Sequence, residues 1–139
     1  MPPPLFFADT FYWIALTYPR DAFHSRVLSF SNNLGVAELV TTDEVFTEVL
    51  SYFSRMGPVW RGEAATTVQD ARNDPGVHVL PQTRADFDDA LALYKARLDK
   101  GYSLTDCRSM NAMRSLGITE VLTNDRHFTQ EGFHRLLPP

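Results

Sequence analysis

Short apolar runs alternate with longer amphipathic stretches along this chain, and the period of each apolar pattern separates strands from helices. Leu5 to Ala8 is a compact apolar run, and Thr10 to Thr17 follows at once with amphipathic spacing, so a strand feeds directly into a helix. Pro19 stops that helix. Asp21 is placed to cap a second helix running to about Asn33, with Phe23, Val27, Leu28 and Phe30 on its buried side, and Gly35 ends it. Glu38 to Thr41 reads as a second strand. Thr42 or Asp43 then caps a helix whose apolar positions are Val45, Phe46, Val49, Leu50, Tyr52 and Phe53, closed by Gly57-Pro58.

A further helix is expected over Val59 to Arg72. The segment VHVL at 77 to 80, bounded by Pro75-Gly76 and Pro81, is the clearest strand. Thr83 to Leu98 reads as a helix, and Gly101 breaks the chain. Leu104 to Leu116 is helical, Gly117 caps it, and Glu120 to Thr123 is a strand ending before Asn124-Asp125. Phe133 to Leu137 is a candidate last strand. Strands alternating with helices imply an α/β three-layer sandwich, a short and mostly parallel central sheet flanked by helices. Residues 1–139 are read as one domain.

Composition adds limits to this picture. The 44% hydrophobic, 22% charged and 12% aromatic fractions are those of a folded globular protein. A single cysteine, Cys107, excludes an intramolecular disulfide framework and a multi-cysteine zinc site, which makes the cytoplasm the expected location. The apolar start LFFADTFYWIALTY is interrupted by Asp9 and too short to span a membrane, so no membrane role is expected. A net charge of −4 excludes a protein coated in positive charge for tight nucleic-acid binding, though not local binding. Among the 13 basic residues only Lys95 and Lys100 are lysines; the rest are arginines, the better side chain for bidentate phosphate contacts.

Ligands of parallel sheets sit beyond the carboxyl ends of strands. Asp9 directly follows the first strand and Asp125 closely follows the EVLT strand, so both belong to that edge. Asp106 lies in the first turn of the helix beginning SLTDC. Glu48 lies inside a helix, beside the arc of Val45, Val49 and Tyr52, where a carboxylate is disfavoured unless something pairs with it. Taken singly, Asp9, Asp106 and Asp125 also suit helix capping. Together they would repel one another without a divalent ion, unless Arg108 and Arg126, which follow Asp106 and Asp125 closely, serve as counter-ions. Hard oxygen donors suit Mg²⁺ or Mn²⁺. His127 is the one histidine near the acids and is a candidate substrate contact. Cys107 reads as a small buried hydrophobe. Tyr12, Trp13, Tyr18 and Trp60 exceed what one face of each helix buries and mark either an interface or a large core.

FFADTFYWIAL, TTDEVFTEVLS and the block YSLTDCRSMNAMRSLGITEVLTNDRHFTQEGFHRLL resemble the PIN-domain ribonucleases, in particular the VapC-type toxins of bacterial toxin–antitoxin pairs. The resemblance covers nearly the whole chain, and its C-terminal block is the most specific part. It implies a Rossmann-like sheet with an acidic pocket that binds Mg²⁺ or Mn²⁺ and cuts single-stranded or looped RNA. Asp9, Glu48, Asp106 and Asp125 match the catalytic and metal-binding acids. Thr10 and Thr105 match the auxiliary small polar residues, and Arg108, Arg126 and His127 are the candidate substrate contacts. A homodimer and a cognate antitoxin are the partners implied. The alternatives are aspartyl-phosphate chemistry, for which the second aspartate two residues beyond Asp9 is missing, and a non-catalytic protein-binding module.

Overall fold

The computed structural model describes residues 1–137. Five strands, β1 (Leu5–Ala8), β2 (Glu38–Thr42), β3 (Val77–Leu80), β4 (Glu120–Leu122) and β5 (His134–Arg135), form one sheet in the order β3-β2-β1-β4-β5. Every pairing is parallel. Parallel neighbours need crossovers, and helices supply them. These are α1 (Thr10–Thr17), α2 (His24–Asn32), α3 (Asp43–Phe53), α4 (Gly57–Asn73), α5 (Arg84–Ala96), α6 (Leu104–Leu116) and α7 (Arg126–Gln130). The strand order grows one way from β1 to β3 and the other way through β4 to β5. The crevice between the carboxyl ends of β1 and β4 is therefore the switch point of the sheet, where open α/β folds bind ligands.

The expected α/β architecture is observed, with local differences that have physical reasons. Asp21 does not cap α2; its carboxylate accepts from the Phe23 N–H at 2.8 Å, closing a turn ahead of a helix that starts at His24. Leu28 consequently faces solvent while Val27 is fully buried. Gly57-Pro58 opens α4 instead of closing α3, because a proline in the first turn gives up an N–H that has no helical partner there. Thr42 caps α3 through the Val45 N–H at 3.1 Å. Of the six apolar positions expected on α3, Leu50 and Tyr52 are exposed. Helix α5 starts after its Thr83 cap and ends two residues early, at Ala96. Gly117 ends α6 in the left-handed conformation, φ 68°.

Two of the four aromatics read as surplus lie in the core. Trp13 packs edge-on against Tyr12 at 5.1 Å and Phe46 at 5.4 Å, and its indole donates to the Ala8 carbonyl and the Thr41 hydroxyl, each at 3.3 Å. Tyr18 and Trp60 are half-buried and pack on each other at 5.0 Å. Of the two readings, the large core therefore holds for Tyr12 and Trp13. Unpartnered apolar surface lies instead along α5 and just past it, at Phe87, Leu91, Tyr94 and Leu98.

Candidate active site

Four acids contributed by four different elements meet at the switch point. Asp9 sits between β1 and α1, with only 6% of its surface exposed. Its Oδ2 accepts from the Thr123 hydroxyl at 2.9 Å, a contact spanning 114 positions in sequence. Burial pushes the Asp9 carboxyl up to about 7, with the neighbouring charge of Asp106 and then that of Glu48 adding to the rise, against the lowering effect of hydrogen bonds from Thr123 and Thr10. Among the described residues no arginine or lysine pairs with it.

Glu48 approaches from α3 and is half-buried. Its Oε1 accepts from the Thr10 hydroxyl at 2.6 Å. Asp106 is positioned by a capping box at the start of α6. The Ser103 hydroxyl accepts from the Asp106 N–H, and the Asp106 Oδ2 accepts from the Ser103 N–H, both at 3.0 Å. Burial raises the Asp106 carboxyl above its ordinary value, and the charge of Asp125 acts in the same direction. Asp125 caps α7 through the His127 N–H at 2.9 Å, and its own N–H donates to Thr123 Oγ1 at 3.1 Å.

Thr123 therefore links two of the acids, and nothing singled it out in the sequence. The signal was available only in its position, the last residue before Asn124-Asp125 at the carboxyl end of β4. Arg126 and His127 also line this pocket, and Arg126 is exposed at its rim. Arg108 and Thr105 do not line it. The Arg108 side chain is 6% exposed, donates to Glu44 at 3.0 Å and the Pro81 carbonyl at 3.3 Å, and lies 3.3 Å from Asp86. It is a buried structural cation, which corrects its reading as a substrate contact. Thr105 lines a neighbouring groove of about 470 Å³ with Ile14, Tyr52, Phe87 and Leu104, and that groove shares Thr10 and Glu48 with the acidic pocket. Burial pushes the Cys107 thiol up to about 11, so it stays protonated.

The donor set is that of a hard cation. Asp106, Asp125 and His127 each place one ligand atom within 4.8 Å of the others, and the buried His127 Nδ1 has no hydrogen-bond partner. Converging carboxylates and an unpartnered nitrogen fit a divalent ion.

An all-parallel α/β sheet with carboxylates gathered at its switch point suits chemistry on a bound divalent ion. The family model for the PIN domain matches residues 6–133, and the chain belongs to that family. Among solved structures it is similar to Mycobacterium tuberculosis VapC20, described as a sarcin-ricin-loop-cleaving toxin. That match has a TM-score of 0.79 and 25% identity, covering 93% of this chain and 95% of that one. A search of the curated proteins gives no significant match. The resemblance drawn from the sequence motifs is borne out by the family match and by the solved structure.

Proposed function

We propose that this chain is a divalent-metal-dependent endoribonuclease that cuts single-stranded or looped RNA, and that it is the toxin of a toxin–antitoxin pair. The observation that carries the reading is Asp9, a buried carboxylate with other acids beside it and no basic partner among the described residues. Asp9, Glu48, Asp106 and Asp125 would hold Mg²⁺ or Mn²⁺. Such an ion supplies the charge that polarises a phosphodiester and acidifies an attacking water. Thr10 orients Glu48, Thr123 orients Asp9 and Ser103 orients Asp106. Arg126, exposed at the rim, is placed to meet an RNA phosphate. Aspartyl-phosphate chemistry is not favoured, since Phe11 stands where its second aspartate belongs and no lysine lines the pocket.

The groove beside the pocket is the proposed seat of an antitoxin segment, because a chain laid against Ile14, Tyr52, Phe87 and Leu104 lies next to Thr10 and Glu48. A homodimer is proposed through α5. Its exposed apolar stripe has Asp88 and Asp89 near the start and Lys95 near the end, so an antiparallel copy sets acid opposite base. No helix among the described residues is long and apolar enough to cross a membrane, in keeping with the proposed cytoplasmic location.

The test is cleavage of a hairpin RNA by the purified chain in chelator, in Mg²⁺ and in Mn²⁺. Loop cleavage that appears only with metal is expected. Cleavage indifferent to chelator, or none of any RNA with either ion, overturns the reading.

A further inference from the structure

One nitrogen of His127 has no role in the hydrogen-bonding of the fold. The ring is 32% exposed as a whole, yet its Nδ1 is shielded from solvent and makes no hydrogen bond. Buried polar atoms are nearly always paired, so an orphaned one calls for a partner that belongs in the site. Nδ1 lies 3.3 Å from Asp125 Oδ1 and 3.7 Å from Asp106 Oδ2. The ring packs against Tyr102 in an edge-to-face arrangement, with ring centroids 5.3 Å apart.

On the metal-pocket reading above, we infer that His127 Nδ1 is a ligand of the divalent ion beside Asp106 and Asp125, and that it biases the pocket toward Mn²⁺ over Mg²⁺. Adjacent ligand atoms on an octahedral ion with bonds of roughly 2.1 Å lie about 3 Å apart, close to the spacing of Nδ1 and Asp125 Oδ1. Ligation requires the neutral ring with its proton on Nε2, leaving the Nδ1 lone pair facing the two carboxylates. Mg²⁺ demands oxygen and gives up its waters reluctantly, whereas a transition ion accepts imidazole nitrogen. A four-acid description of the site has no place for this nitrogen.

The competing role is an imidazolium that neutralises Asp106 and Asp125 and is displaced when metal enters. The two roles have opposite consequences. Removing a ligand weakens Mn²⁺ binding, whereas removing a competing cation strengthens it or leaves it unchanged. Calorimetric titration of the metal-free full chain with Mn²⁺ and Mg²⁺, for wild type and His127→Gln, reads the sign. Pulsed electron paramagnetic resonance of the Mn²⁺-loaded wild type reads the ligand directly. We expect nitrogen hyperfine coupling to bound Mn²⁺, its loss in His127→Gln, and a fall in Mn²⁺ affinity of about tenfold with Mg²⁺ affinity nearly unchanged. Bound Mn²⁺ without nitrogen coupling, or tighter Mn²⁺ binding by the variant, overturns the inference while leaving the nuclease reading standing. A wild type that binds no Mn²⁺ overturns both. The spectrum of the wild type decides the matter even if the variant fails to fold.

Discussion

Thr10 donates its hydroxyl proton to Glu48 at 2.6 Å, joining the first turn of α1 to the middle of α3 across the mouth of the acidic pocket. A carboxylate with this partner and no arginine has its orientation set by a neutral group, which leaves its charge uncompensated for a cation. Thr10→Val should keep the fold, since only the hydroxyl is lost, and should lower cleavage roughly tenfold, with Thr10→Ser restoring it. Single-turnover cleavage beside thermal melting checks this. A valine variant with wild-type cleavage would remove Thr10 from the site.

Glu48→Gln keeps an oxygen for Thr10 but removes charge that bears on Asp9. In chelator the variant should melt above wild type, and it should lose most of the stabilisation that Mn²⁺ gives wild type, which follows ion concentration over affinity. Melting curves with chelator and with Mn²⁺ decide it. A variant that melts lower in chelator and gains from Mn²⁺ as wild type does is the contrary result.

Asp9→Asn should abolish cleavage and stabilise the metal-free protein in a pH-dependent way. The folded-state carboxyl titrates near 7 against an ordinary 3.8, so between those values the folded chain holds more protons than the unfolded one. Stability of the metal-free wild type therefore falls as pH rises from about 4 to about 7 and then levels off. Asn removes that loss. The variant should exceed wild type by a few kcal/mol at about pH 8, with the gap closing toward pH 4, as followed by urea unfolding in chelator. A gap that does not vary with pH would contradict the assigned burial effect.

Arg108→Ala tests a structural assignment. It strands Glu44, one of whose oxygens already lacks a hydrogen bond, and leaves the groove wall without its cation. A loss of about 3 kcal/mol is expected, the scale of removing one partner from a buried ion pair. Cleavage per folded molecule should not change, and a large drop there would return Arg108 to the substrate site.

Leu91→Glu together with Tyr94→Glu places charge on the exposed face of α5. If α5 pairs with its copy, light scattering should give a dimer for wild type and a monomer for the double variant, each with an unchanged far-ultraviolet spectrum. A wild-type monomer at micromolar concentration refutes the proposed dimer.

Much of the layout was legible because its signals are local. The run VHVL between prolines, the helical spacing from Leu104 and the glycine after Leu116 place β3 and α6 by short-range physics. Asp9 and Asp125 were legible because strand ends collect at one edge of a parallel sheet. What escaped depended on long-range contacts. The Asp9–Thr123 bond, the pairing of Arg108 with Glu44, and the burial of Tyr12 and Trp13 are set by which helix packs on which, and no spacing in one segment encodes that. Gly57-Pro58 was misread because proline both ends and begins helices, and only the following chain direction tells which.

The strand order has a consequence for how such an enzyme is made. With β1 paired to β4, the carboxylate at position 9 meets its hydroxyl partner only after residue 123 has been synthesised and has left the ribosome. A nascent or prematurely terminated chain lacks β4, Thr123 and Asp125, and so has no complete pocket. Competence to cut is thereby acquired only when β4 has docked beside β1, a late event in the making of the sheet.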